Sequence, residues 1–208
     1  MFSLVRRSFQ DMFGRSGGRS LKGKALCMQE IYRSLDRDIA VFRALSGIKC
    51  PKDCGECCFH STVEASELEM LPLALVLVRA RKAEEWHDHA KERDFQGRCV
   101  LYSADHAHGR CLYYAFRPLV CRLFGYAGNR DKHGRPRLVT CSVLKKVQPQ
   151  ETENALERVL KGGLSVPIMS DVVMRMSSID PEMTREIMPV NLALGKAVER
   201  VGINIRYS

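Results

Sequence analysis

The sequence predicts a mainly α-helical single domain wrapped around a cysteine-rich loop core that carries a small β-hairpin. Three observations predict it. Apolar residues recur every three or four positions over residues 25–45, 66–93 and much of the chain from 149 onward. Eight of the nine cysteines fall between Cys50 and Cys141. The 208 residues, 45% hydrophobic and 27% charged, have ordinary globular proportions, which exclude a disordered tail, a collagenous repeat and a membrane bundle. This length suits one domain with a core large enough to fold without disulfides.

Residues 1–24 carry Arg6, Arg7, Arg15, Arg19, Lys22 and Lys24 against Asp11 alone, with Phe2, Val5 and Phe9 at helical spacing before a glycine-rich break. They are expected to be a basic leader, with a membrane-surface helix or mitochondrial-type presequence as the alternative. The domain proper is set at 25–208, with its motif core at 50–141. From Ala25 to Leu45, Met28, Ile31, Tyr32, Leu35, Ile39 and Phe42 mark an amphipathic helix ended by Gly47. Cys27, at its start, is set apart as a small buried hydrophobe.

Ser66 to Glu69 forms a capping box, so helix follows to about Arg93, and Pro72 is expected to shorten or kink it. His87 and His89 lie two apart and point to nearly opposite faces, which makes them poor joint chelators. Residues 97–147 are mostly non-helical apart from a turn opened by Pro118. The turn-rich Asn129 to Gly134, between Leu123–Ala127 and Arg137–Val139, predicts the hairpin. Beyond it come helices over Thr152–Leu160 and Ser170–Met176, then two opened by Asp180-Pro181 and by Pro189. Met169, Met174, Met176, Met183 and Met188 are read as core filling rather than a soft-metal or partner-binding surface.

The longest apolar run, Met70 to Val78, is far short of the roughly 20 residues of a membrane span, and Arg6 and Arg7 interrupt any signal-peptide core. No transmembrane segment and a cytoplasmic location are expected. There thiols stay reduced, and a cysteine cluster points to metal or redox chemistry. Cys50, Cys54, Cys57 and Cys58 form a C-x3-C-x2-C-C group, followed by Cys99, Cys111, Cys121 and Cys141. All eight are candidate metal ligands, because thiolates two or three residues apart on a turn converge and Gly55 lets the loop bend. Zinc takes four ligands in a tetrahedron and a four-iron cluster one thiolate per iron, so eight fill one site with spares or two sites. Adjacent Cys57 and Cys58 strain a single small ion, so they serve different metals or one packs inward. Arg117 and Arg122 are candidate cofactor-binding residues, since a thiolate-ligated centre carries about −2. Pro118 would open a helix turn whose positive end favours thiolate at Cys121.

Cys54-Gly55-Glu56-Cys57-Cys58 and Arg117-Pro118-Leu119-Val120-Cys121-Arg122, with looser matches at Cys99-Val100-Leu101 and Cys111-Leu112-Tyr113, resemble the YkgJ-type cysteine-cluster family over about residues 50–126. The resemblance implies a zinc- or iron-chelating domain similar to the one in flagellin lysine methylases, without carrying a settled activity. The three residues between Cys50 and Cys54 depart from the family's spacing and put the role of Cys50 in question.

The expected function is a cysteine-ligated metal- or iron–sulfur-cluster-binding protein that supports redox or protein-modification chemistry. A 4Fe-4S cluster is preferred over zinc because the ligands are all cysteine. The partner is an unidentified protein or small molecule. A zinc-stabilised nucleic-acid-binding module is suggested by a net charge of +9 but not favoured, because the bases are scattered and no recognition motif appears. A radical-SAM enzyme is suggested by Cys50, Cys54 and Cys57 and opposed by Glu56, where that family carries an aromatic, and by the lack of repeated strand–helix units. A thiol nucleophile activated by His60, His106 or His108 is a weaker option, and no catalytic residue can be named.

Overall fold

A computed structural model describes residues 20–52, 54–59, 63–92, 97–105 and 109–206. The leader up to residue 19, the expected helix end at Arg93, and His60, His106 and His108 lie outside the described residues.

Helix α1 (Leu21–Ser46) starts ahead of Ala25 because Ser20 Oγ accepts from the Gly23 N–H at 3.2 Å and caps its first turn. It ends at Gly47, whose φ of 78° turns the chain away. The short α2 (Glu56–Phe59) and strand β1 (Glu64–Ser66) lead into α3 (Glu67–Arg79). The capping box forms as the sequence indicates, with Glu69 Oε2 accepting from the Ser66 N–H at 2.7 Å.

Pro72 does not interrupt α3. It sits in the second turn, and Leu68, Met70, Leu71, Leu73, Ala74 and Leu77 are completely buried, so packing outweighs the roughly 3 kcal/mol that an interior proline costs. The break comes instead at Arg81, at φ 56°. There the Arg81 N–H bonds to Val78 O and the Lys82 N–H to Leu77 O, a Schellman closure before α4 (Ala83–Glu92).

Three antiparallel pairs occur among the described residues where one hairpin was expected. The first, β2 (Tyr102–Ser103) with β3 (Arg110–Cys111), precedes α5 (Leu119–Leu123). The expected hairpin is β4 (Ala127–Arg130) with β5 (Pro136–Val139). It is followed by α6 (Ser142–Val147), α7 (Pro149–Leu160), α8 (Met169–Ser177) and α9 (Pro181–Arg185). Strand β6 (Ile187–Pro189) returns to β1 in the register Glu64↔Pro189 and opens α10 (Val190–Arg206).

Helices α3 and α10 pack centrally, with α1 laid across α3. The apolar stripe of α1, from Met28 to Phe42, closes that core. Polar ties fix the periphery: Lys24 Nζ reaches Asp180 at 2.6 Å, and Arg200 Nη2 reaches Glu67 at 2.9 Å. Met176, Met183 and Met188 fill the core as expected, whereas Met174 is 65% exposed. The chain is mainly α-helical with small hairpins, and no described helix is long and apolar enough to cross a membrane.

Candidate metal centre

Each cysteine is carried on a short element with its own anchor. The Cys54 N–H bonds to Pro51 O at 3.3 Å and the Cys58 N–H to Gly55 O at 2.9 Å, which curls the first group into a turn and α2. The Cys50 N–H donates to the Tyr126 hydroxyl at 2.7 Å, so the cysteine with the irregular spacing is nonetheless fixed to the segment after Cys121. Cys99 and Cys111 are drawn together by β2 and β3, where Tyr102 stands opposite Cys111 and the Tyr102 N–H bonds to Cys99 O. Only glycine serves at position 109, since its φ is 65° and a Cβ there would lie 2.1 Å from the Tyr102 hydroxyl. From α10, Asn191 clamps the same loop: its Oδ1 accepts from the Val100 N–H at 3.0 Å and its Nδ2 donates to Arg98 O at 3.2 Å. Cys141 caps α6, its Sγ accepting from the Leu144 N–H at 3.5 Å.

The helix turn bearing Cys121 is held from a distance. Glu69 Oε1, on α3, accepts from the Leu119 N–H at 2.7 Å, so the positive end of α5 meets a buried carboxylate and not the Cys121 thiol. Arg122, with a 2% exposed side chain, donates through Nη1 to both Asp36 oxygens at 2.7 and 2.5 Å and through Nε to Arg117 O at 2.8 Å. Its Nη2 reaches Ala115 O, and the guanidinium lies 4.1 Å from the Tyr32 ring centre. Arg117 stacks on Tyr114 at 3.4 Å and donates through Nη1 to Cys121 O at 3.2 Å. Both arginines therefore brace the backbone around Cys121, and both also line the cavity beside it.

That cavity, of about 750 Å³, is lined by Cys50, Cys54, Cys57, Cys58, Cys111, Cys121 and Cys141. Cys99 stands behind the lining, close enough that its charge bears on Cys58 and Cys121. The thiols fall into two neighbourhoods. Cys50 feels Cys54 and Cys141; Cys58 and Cys121 both feel Cys99 and Cys111; Cys57 acts on both sets. Cys50 is exposed, while Cys58, Cys99 and Cys121 are buried, so one neighbourhood lies at the mouth and the other deeper. Adjacent Cys57 and Cys58 thus face both neighbourhoods from one turn of α2.

Protonation follows this layout. The Cys58 thiol bonds to Cys57 sulfur, and that bond, with Arg117 and local backbone donors, outweighs burial and lowers Cys57 to about 7. The same bond first, and burial second, push Cys58 up. Burial, then Cys54, pushes Cys50 up to about 12. Burial also raises Cys121 well above its usual value, with Arg117 pulling the other way as its charge requires.

Seven thiols line one cavity with Cys99 behind them, and among the described residues no imidazole joins the lining, a donor set whose chemistry fits zinc or iron. The thiols ring the space and do not yet meet at a point: among the described residues, no three Cys, His, Asp or Glu side chains already form a closed ion site. His87 lies 2.8 Å from Glu199 while His89 packs edge-on against Trp86, so the two have separate partners, as their spacing indicates. Cys27 packs against the core outside the cavity. The supporting residues Asp36, Tyr126 and Asn191 carry no mark in the sequence, and Glu69 is legible there only as a helix cap.

A family model, CxxCxxCC, described as a "putative zinc- or iron-chelating domain", matches residues 49–151, a span that contains all eight clustered cysteines and both bracing arginines. No curated protein and no solved structure matches the chain.

Proposed function

This chain belongs over residues 49–151 to the CxxCxxCC family of zinc- or iron-chelating domains, and on that premise we propose that it is a cysteine-ligated iron protein carrying a 4Fe-4S cluster. The observation that carries the reading is the convergence of seven cysteines, from five separate short segments, on one cavity. Thiolate-only sets select zinc and iron–sulfur centres over harder metals, and a ligand set that is all cysteine among the described residues favours iron.

The proposed ligands are drawn from Cys50, Cys54, Cys57, Cys58, Cys99, Cys111, Cys121 and Cys141, and binding closes the ring they form. Arg117 and Arg122 supply positive charge next to an anionic centre while their hydrogen bonds keep the Cys121 turn in place. When bound, such a cluster supplies one-electron transfer, which suits a redox or protein-modification role in the cytoplasm. We assign residues 25–208 to one domain preceded by the basic leader.

Anaerobic purification followed by metal analysis and absorption spectroscopy tests the reading. Iron with sulfide and a broad band at about 400 nm is expected. Stoichiometric zinc in a colourless protein would replace iron by zinc at the same thiols, and protein that retains neither metal would overturn the reading.

A further inference from the structure

The cavity is larger than its thiols need. With metal–sulfur distances of about 2.3 Å, one tetrathiolate ion occupies a sphere of roughly 50 Å³ and a four-iron cluster no more than about four such spheres, so either centre leaves most of the 750 Å³ unfilled. The remainder lies within the roughly 300–1,000 Å³ range of small-molecule sites.

The lining residues other than the thiols have their own composition. One face of α1 contributes Asp36, Ile39, Ala40 and Arg43, at helical spacing, and Leu112, Tyr114 and Phe124 add apolar and aromatic surface. Leu112 and Tyr114 are 46% and 62% exposed, unusual for large apolar groups at the rim of a cavity.

The charge on this wall is unbalanced. Asp36 is already paired with Arg122. Among the described residues no carboxylate forms an ion pair with Arg43, Lys52, Arg110 or Arg117, and Glu56 is the one other acidic residue in the lining. Arg43 lies over the Tyr126 ring at 5.7 Å and Arg117 over Tyr114 at 3.4 Å, so each cation sits beside an aromatic face.

We propose that the space the metal centre leaves in this cavity binds an organic anion: a small molecule with an apolar or aromatic body against Ile39, Leu112 and Tyr114, and an oxyanion head between Arg43 and Arg110. The body gains from leaving water and the head from charge-assisted donors. The inference shares the cavity with the metal reading but does not depend on which ion the thiols hold.

Fluorescence titration of the full-length, metal-loaded protein with 1-anilinonaphthalene-8-sulfonate tests it, with metal content measured on the same samples. Saturable one-site binding is expected, at least about tenfold tighter than that of the neutral N-phenyl-1-naphthylamine, which lacks the sulfonate. Arg43→Gln with Arg110→Gln should weaken the anion about tenfold or more, while Arg135→Gln on the exposed hairpin turn leaves it unchanged. Ala40→Trp, which fills the wall without removing a charge or thiol, should abolish binding and provides a second variant should the arginine pair fail to fold. Equal affinity for the two probes, or unchanged binding in folded Ala40→Trp protein, would overturn the proposal. Loss of metal with anion binding retained would instead count against the metal reading alone.

Discussion

Glu69→Ala should unfold the candidate site from a position outside it. The Glu69 carboxylate is 4% exposed and accepts from the Ser66 N–H at 2.7 Å, the Ser66 hydroxyl at 2.8 Å and the Leu119 N–H at 2.7 Å. Truncation strands two backbone donors in the core, each costing about 1–3 kcal/mol. Burial raises the carboxyl's pKa despite these donors, so removing the charge returns part of that cost. A net loss of about 2–4 kcal/mol remains, which for a chain of this size lowers Tm by roughly 5–15 °C.

Because the Leu119 N–H opens the turn that carries Cys121, metal content should fall with stability. Glu67→Ala is the control: it starts the same helix, but its partner Arg200 is half exposed, so about 0.5–1 kcal/mol and no metal should be lost. Urea denaturation and metal stoichiometry read both variants. A Glu69→Ala protein within about 0.5 kcal/mol of wild type, or one with full metal, would refute the reasoning. The pH dependence carries a sign of its own. With its folded pKa raised, Glu69 contributes stability below the ordinary carboxylate value that is lost as pH rises through the folded value, and Glu69→Gln should flatten that slope.

Gly125→Ala places a Cβ 2.8 Å from Leu144 Cδ1 and 3.6 Å from Cys141 Sγ at φ 87°, so urea midpoints should show a loss of about 1–3 kcal/mol together with reduced metal content. Cys54→Ser and Cys121→Ser should each lower bound metal and, since site binding energy is folding energy, thermal stability; full metal in both would remove these residues from the ligand set. Burial works against the Asp180 carboxylate, but Lys24 and the Met183 N–H outweigh it and hold its pKa below the usual range. The resulting stability is present above about pH 4 and disappears as pH falls through the lowered value, and urea titrations of Asp180→Asn should lack that acid-side slope.

Short-range pattern made much of this molecule legible. The apolar periodicity of α1, the capping box at Ser66, the β4–β5 turn and the proline opening α9 act within a few residues, so their consequences can be read locally. The break at Arg81 could not be, because the pull toward a kink at Pro72 is local while the burial that overrides it is tertiary.

The site divides along the same line. Eight thiols in ordered motifs are a chemical fact of the sequence; by themselves they determined the family, one of zinc- or iron-chelating domains, as the apolar periodicity determined the mainly helical fold. Which thiols are neighbours, and what holds them there, came only with the tertiary structure. Glu69 reaches Leu119 across 50 positions, Arg122 reaches Asp36 across 86 and Asn191 reaches Val100 across 91. Contacts of that separation depend on how α1, α3 and α10 pack, and an isolated Asp, Glu or Asn bears no sign of its distant partner. The same packing turned Arg122 into a brace for the Cys121 turn and left Arg43 and Arg110 on the cavity lining without a carboxylate partner among the described residues, a distinction that net charge alone does not contain.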